Sequence, residues 1–119
     1  MRTINLQIEK LKELGIDVPD KGKFVIDLYT DWCGPCKIIS PVLKQFQEEG
    51  LIELKQINIG EQRKIGEELN ISAVPTLIFL KDGKLLEKNI SIQGRTLVYN
   101  SVMVGAAGEL ILKEIIDQM

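Results

Sequence analysis

The amino-acid sequence predicts an α/β fold built on a mixed β-sheet, and three observations carry that prediction. Runs rich in apolar and β-branched residues alternate with segments of helical spacing along most of the chain. The run "KFVIDLYT", Lys23 to Thr30, is almost continuously apolar, as expected of a strand covered on both faces in the middle of a sheet. The tetrapeptide "KDGK", Lys81 to Lys84, carries the Asp-Gly signature of a hairpin, so at least one strand pair must be antiparallel.

Taken in order, Ile4, Leu6 and Ile8 alternate and then Ile8, Leu11 and Leu14 take helical spacing, which predicts a short strand running into a short helix. After the strand at Lys23 to Thr30, the pattern turns helical from Cys33, with Ile39, Val42, Leu43 and Phe46 on one face and Gly50 as a stop. Pro41 falls inside this helix, where it removes one backbone hydrogen bond and is expected to kink the axis. "LIELKQINI", Leu51 to Ile59, is the next strand, and "EQRKIGEELN", Glu61 to Asn70, a short helix presenting Ile65 and Leu69. "TLIFL", Thr76 to Leu80, is a further buried strand that enters the hairpin turn. Leu85 to Arg95 reads as one extra strand with a turn at Gln93-Gly94, and Thr96 to Val104 as another strand. "GELILKEIIDQM" closes the chain as a helix, because joining it to the preceding strand would bury Gly105 and Gly108 in a helix interior at about 1 kcal/mol each.

Composition limits what such a domain can do. The chain has 119 residues, the size of one domain (residues 1–119), and needs no disulfides to hold its core. Acidic residues outnumber basic ones by 17 to 15 with no block of either sign, which argues against nucleic-acid binding. No apolar run approaches the roughly 20 residues of a membrane span, and the first residues lack a signal-peptide core, so a soluble cytoplasmic protein is expected. There two cysteines at close spacing point to redox, catalytic or metal chemistry rather than to a structural bond.

Both cysteines and the only tryptophan lie within "TDWCGPCK", Thr30 to Lys37. Cys-x-x-Cys after a buried strand and at the start of a helix puts both sulfurs on one face of the first turn, near enough to bond. The unpaired N–H groups and positive end of the helix dipole stabilise a thiolate at Cys33 and lower its pKa. Pro35 suits the first turn because its missing N–H had no partner there, and with Gly34 it fixes the spacing of the thiols. Thiol–disulfide exchange follows: one sulfur attacks a disulfide and the second resolves the mixed disulfide. A structural zinc takes four Cys or His ligands, whereas this chain has two cysteines and no histidine, so only a site shared between two chains would serve a metal. A structural disulfide closing so short a loop would remove little unfolded-state entropy. An acid in the middle of "FVIDLY", Asp27, either faces water or has a raised pKa and holds a proton.

"VIDLYTDWCGPCKIISPVL" followed by "ISAVPTLIFLKDGK" resembles the thioredoxin family almost without gaps from Lys23 to Lys84. The resemblance implies a central mixed sheet flanked by helices, a catalytic thiol pair of lowered pKa, and reduction of protein disulfides without a bound cofactor. It makes Cys33 the attacking and Cys36 the resolving thiol. It places Asp27 behind them, where a carboxyl of raised pKa takes the proton of Cys36. By the same resemblance the Val74–Pro75 bond is cis and leaves the Val74 backbone free to pair with an extended substrate. Trp32, Gly34, Pro35, Val74, Pro75 and Gly105 then form the substrate surface, while Lys37 reads as a solvated helix residue. The implied partners are disulfide-containing client proteins and a reductase that supplies electrons, with no metal, no nucleic acid and no membrane, and the chain acts as a monomer.

The sequence departs from the family at two places. Gln56 stands where the family usually carries a lysine near the buried acid, so the usual cation is missing there. The groove glycine before the last helix aligns either with Ser91, counting without a gap, or with Gly105 after an insertion, and "VGA" at Val104 to Ala106 favours Gly105. The insertion separates a general disulfide reductase from an alternative reading, an interaction or redox-sensing module dedicated to one partner through the added segment.

Overall fold

A computed structural model describes residues 6–119. Its centre is β1 (Lys23–Tyr29), whose five inner residues are all buried. β1 pairs in parallel with β2 (Glu53–Asn58) on one edge and antiparallel with β3 (Thr76–Lys81) on the other. Between β1 and β2 the chain crosses over through α2 (Gly34–Glu48), as parallel neighbours require. α3 (Arg63–Glu68) links β2 to β3. β4 (Lys84–Leu85) and β7 (Val102–Val104) both pair antiparallel with β3, along successive stretches of its free edge. The sheet is therefore mixed and runs β2-β1-β3-β4, with β7 also pairing β3.

The period of two along the strands divides the core between the sheet's faces. Val25, Leu77, Phe79 and Met103 pack with Ile39, Leu43 and Phe46 of α2 and with Leu112, Ile115 and Ile116 of α4 (Glu109–Gln118). Phe24, Ile26, Leu28, Ile78 and Leu80 pack on the other face with Leu11 of α1 (Ile8–Glu13) and Ile65 of α3. Lys10 reaches Glu68 at 2.6 Å and ties α1 to the end of α3. Asp27 shares its parity with Val25 and so points to the α2 face. Pro41 sits inside α2, and Gly50 ends the segment at φ 77°, a conformation that favours glycine. The strand expected around Ile4 to Ile8 lies largely outside the described residues, and Leu6 and Gln7 are not in a strand.

The segment before α4 differs from expectation. Leu85 to Arg95 is not one strand: after β4 the chain forms β5 (Ile90–Ile92), which pairs antiparallel with β6 (Arg95–Val98) in a separate two-stranded sheet. Thr96 to Val104 is likewise not continuous, because Asn100 and Ser101 adopt φ of 46° and 76° and reverse the chain between β6 and β7. Asp82-Gly83 and Gln93-Gly94 have the same paired positive φ, as two-residue hairpin turns demand. Asn-Ser lacks the glycine of the other two turns, and its flanking β-branched residues masked it. The reversal is anchored instead by polar bonds: Ser101 Oγ donates to the Leu86 carbonyl at 2.6 Å and Asn89 Oδ1 accepts the Asn100 N–H at 3.0 Å.

The inserted hairpin is part of the core. Ile90, Ile92 and Val98 are buried in the cluster that holds α4, while Ser91, Gln93, Arg95 and Thr96 face outward. Ile90→Ala is therefore expected to lower stability by about 2–4 kcal/mol in urea unfolding, against less than about 0.5 kcal/mol for Ser91→Ala. Equal, small effects for both would show that the hairpin is an appendage.

Candidate active site

β1 ends at Tyr29, and the chain turns through Thr30, whose carbonyl accepts the Cys33 N–H at 3.3 Å, into the first turn of α2. Cys33 is the N-cap, in extended conformation, and its Sγ accepts the N–H of Cys36 at 3.1 Å. This is the capping contact that a serine or threonine oxygen makes at other helices, here made by sulfur. Gly34 and Pro35 fill the first helical positions, both exposed, and Pro35 leaves no donor unpaired there. Cys33 and Cys36 are joined by a disulfide with their Cα atoms 5.3 Å apart. Both are buried, Cys33 at 6% exposure and Cys36 at 2%, so Cys33 has the wider opening to solvent.

Asp27 is fully buried on the α2 face of β1. Its register partner on β2 is Gln56, whose Nε2 donates to Asp27 Oδ2 at 3.1 Å. Ser40, one helical turn after Cys36 on the same face of α2, donates its hydroxyl to the same oxygen at 2.8 Å. Both donors occupy Oδ2, and buried Oδ1 has no hydrogen-bond partner. Burial pushes the Asp27 carboxyl above its ordinary 3.8, while the bonds from Ser40 and Gln56 and the charge of Lys44 pull it back only in part. Where the family usually has a lysine, this chain thus offers a neutral amide, and its nearest cationic influence comes from α2. A cleft of about 360 Å³ opens beside Asp27's two donors, its walls including Thr30, Cys36, Lys37, Ser40, Lys44 and Gln56. Lys37 is exposed on this wall.

The second part of the site comes from β3 and β7. The Val74–Pro75 peptide is cis, with Val74 half-buried and Pro75 buried. Pairing of Leu28 with Thr76 puts Pro75 at the end of the sheet from which β1 leads to Cys33. Thr76 also pairs with Val104, which brings Gly105 to Pro75: the Gly105 N–H donates to the Pro75 carbonyl at 2.8 Å. Gly105 has φ 103°, a conformation open to glycine at little cost. Ser91 lies on β5, bonded to Thr96, so of the two aligned positions Gly105 is the one beside the cis-proline. Trp32 is 75% exposed between the thiols and the β2–α3 loop.

Sequence reading missed Ser40 and Asn58. Ser40 was findable, since it stands four residues after Cys36 in a helix. Asn58, which bonds Asp31 through Nδ2 at 2.9 Å, carries no local signal because its partner is distant in sequence. Among the described residues no group of three or more His, Cys, Asp and Glu is placed to hold a metal.

Comparison with known proteins agrees with this arrangement. The family model described as Thioredoxin matches residues 7–100. Thioredoxin-like protein 1 of Schizosaccharomyces pombe is 37% identical over 73 residues, covering 59% of this chain and 25% of that protein. The thioredoxin of Chlamydia caviae is 33% identical over 75 residues, covering 62% of this chain and 74% of that one. Oxidised mitochondrial thioredoxin 3 of Saccharomyces cerevisiae superimposes with a TM-score of 0.58 at 30% identity, over 83% of this chain and 80% of that one. This chain therefore spans a quarter of the length of the first relative and about three quarters of the second.

The buried acid makes stability depend on pH. Below 3.8 Asp27 is protonated in folded and unfolded chains alike, and its burial carries no charge penalty. As pH rises from 3.8 through the raised folded value, the unfolded chain releases the proton more readily, so this contribution to stability is lost. Asp27→Asn keeps an acceptor for Ser40 and Gln56 but cannot ionise. In urea unfolding the variant is expected to be more stable than wild type at pH 7, with the advantage shrinking to nothing below 3.8. An advantage independent of pH would show that Asp27 is not the titrating group.

Proposed function

This chain belongs to the thioredoxin family, and we propose on that premise that it is a protein-disulfide reductase working by dithiol–disulfide exchange. The observation that carries the reading is the Cys33–Cys36 disulfide at the N-terminus of α2, with the Cys36 N–H directed at Cys33 Sγ. In the reduced protein that N–H and the helix dipole favour a thiolate at Cys33. The thiolate attacks one sulfur of a client disulfide, whose S–S bond breaks and whose other sulfur leaves as a thiolate. Cys36 then gives its proton to Asp27 and attacks Cys33 Sγ. The mixed disulfide breaks, the Cys33–Cys36 bond forms, and the second client sulfur departs: the client has gained two electrons and the pair has lost them. A reductase returns the electrons.

Asp27 is suited to the proton step because burial makes its carboxylate a stronger base than an exposed one, and Oδ1 has no other partner. Trp32, Gly34, Pro35, Val74, Pro75 and Gly105 form the proposed client surface, with an extended client segment paired to the Val74 backbone beside the cis-proline. Residues 1–119 work as one domain and as a monomer, in the cytoplasm, as a carrier of electrons in thiol redox balance. Among the described residues no helix is long and apolar enough to cross a membrane. The reading of the insertion as a dedicated docking device has less support, since its apolar side chains are turned into the core.

The reading is tested by dithiol-driven reduction of insulin. Cys33→Ser is expected to fall to the rate of the dithiol alone, and activity equal to wild type would sink the proposal. Cys36→Ser is expected to accumulate mixed disulfides at Cys33, detectable by mass spectrometry, whereas adducts in Cys33→Ser instead would reverse the roles of the thiols. Asp27→Asn should slow resolution of the mixed disulfide by roughly 100-fold at neutral pH, the usual scale of a lost general base.

A further inference from the structure

Asn58 and Gly60 form a seat beside the thiols. Asn58 ends β2 and is buried at 7% exposure. Its Nδ2 donates to Asp31 Oδ1 at 2.9 Å, and its Oδ1 accepts the N–H groups of Gly60 and Glu61 at 2.9 and 3.3 Å. One side chain thus joins the segment carrying Trp32 to the β2–α3 loop. The Trp32 ring lies against that loop at Gly60. A Cβ added to Gly60 would stand 2.9 Å from Trp32 Cη2, 3.2 Å from Cζ3 and 3.1 Å from Asn58 Oδ1. Gly60 does not have a positive φ, so conformational freedom does not explain the glycine there. Space does: the outer edge of the six-membered ring fills the place of a side chain.

We propose that Gly60, held by Asn58, is a positioning residue for Trp32 and thereby a determinant of client specificity. Trp32 is 75% exposed, and an exposed indole left to its own rotamers would sweep across the surface next to Cys33. Pinning one edge on Gly60 fixes the plane that the other side offers to a client. A fixed aromatic plane binds at lower entropic cost than a mobile one. The closest approach is to the ring, the far end of a side chain on the surface, so a methyl group at residue 60 displaces the indole, while Asn58 Oδ1 at 3.1 Å has to give by only a few tenths of an ångström. This inference rests on the proposed disulfide reduction only for its effect on clients; the seating of the ring stands apart from it.

Trp32 is the only tryptophan of the chain, so its fluorescence reports the seat directly. Gly60→Ala is expected to melt as wild type does and to shift the emission of the reduced protein to longer wavelength. In single-turnover oxidation of the pre-reduced protein by increasing insulin, the half-saturating concentration should rise about three- to tenfold with little change in limiting rate, the scale of one aromatic contact. In a Trp32→Phe background, whose shorter ring does not reach the seat, Gly60→Ala should have no further effect on half-saturation. Unchanged emission in Gly60→Ala, or an effect on half-saturation that persists in full without Trp32, would overturn the proposal. Failure of wild type to oxidise with insulin at all would remove the proposed reductase activity and the client role of Gly60, while the emission would still decide the seat.

Discussion

The two-sided pairing of β1 is the constraint from which the candidate site is built. Because β1 hydrogen-bonds to β2 on one edge and β3 on the other, its position is fixed in all directions but its own axis, and the helices on its faces fix that. The strand then delivers Cys33 to the start of α2 at one end of the sheet, while its antiparallel partner β3 delivers Pro75 to the same end. A residue in the middle of such a strand has no route to water along either edge. Asp27 is there, and its chemistry follows from that confinement.

What surrounds Asp27 matters more than how deeply it is buried. Two donors converge on Oδ2, one from the neighbouring strand and one from the helix that carries the thiols, and neither bears a charge. A lysine in the place of Gln56 would favour the carboxylate; a neutral amide orients the carboxyl with less bias towards ionisation. The hydroxyl of Ser40 couples the acid to the same helical face as Cys36, so the carboxyl and that sulfur are referred to one element. The cleft lined by Cys36 and Ser40 opens beside this region.

How much of this was legible in the sequence depended on the range of each signal. Lys23 to Thr30 and Thr76 to Leu80 announced themselves because a strand buried on both faces is apolar throughout, and "KDGK" because Asp-Gly meets the positive φ of its turn. Cys33, Cys36 and the proline-bearing helix were readable from a contiguous motif. Asn100 and Ser101 were not, since nothing local distinguishes a polar pair within a β-branched run from an exposed stretch of strand; the reversal is held by Leu86 and Asn89, which the sequence does not place nearby. The same holds at the site. Asp27 was conspicuous as an acid among apolar residues, but the convergence of Ser40 and Gln56 on one of its oxygens is a tertiary fact. Gly60 carried no motif at all, because its reason is the room that a distant indole occupies.

The capping of Cys33 by the Cys36 N–H has a further consequence for the energetics of electron gain. In the disulfide state this donor already faces the sulfur that, in the proposed exchange, would acquire negative charge on reduction. The dipoles needed by the product are thus aligned before the electrons arrive, and the backbone has little to rearrange when they do. Water around an exposed thiol would have to reorient on reduction; a backbone N–H held in the first turn of α2 would not. In the proposed exchange such a site would gain its electrons at a low reorganisation cost.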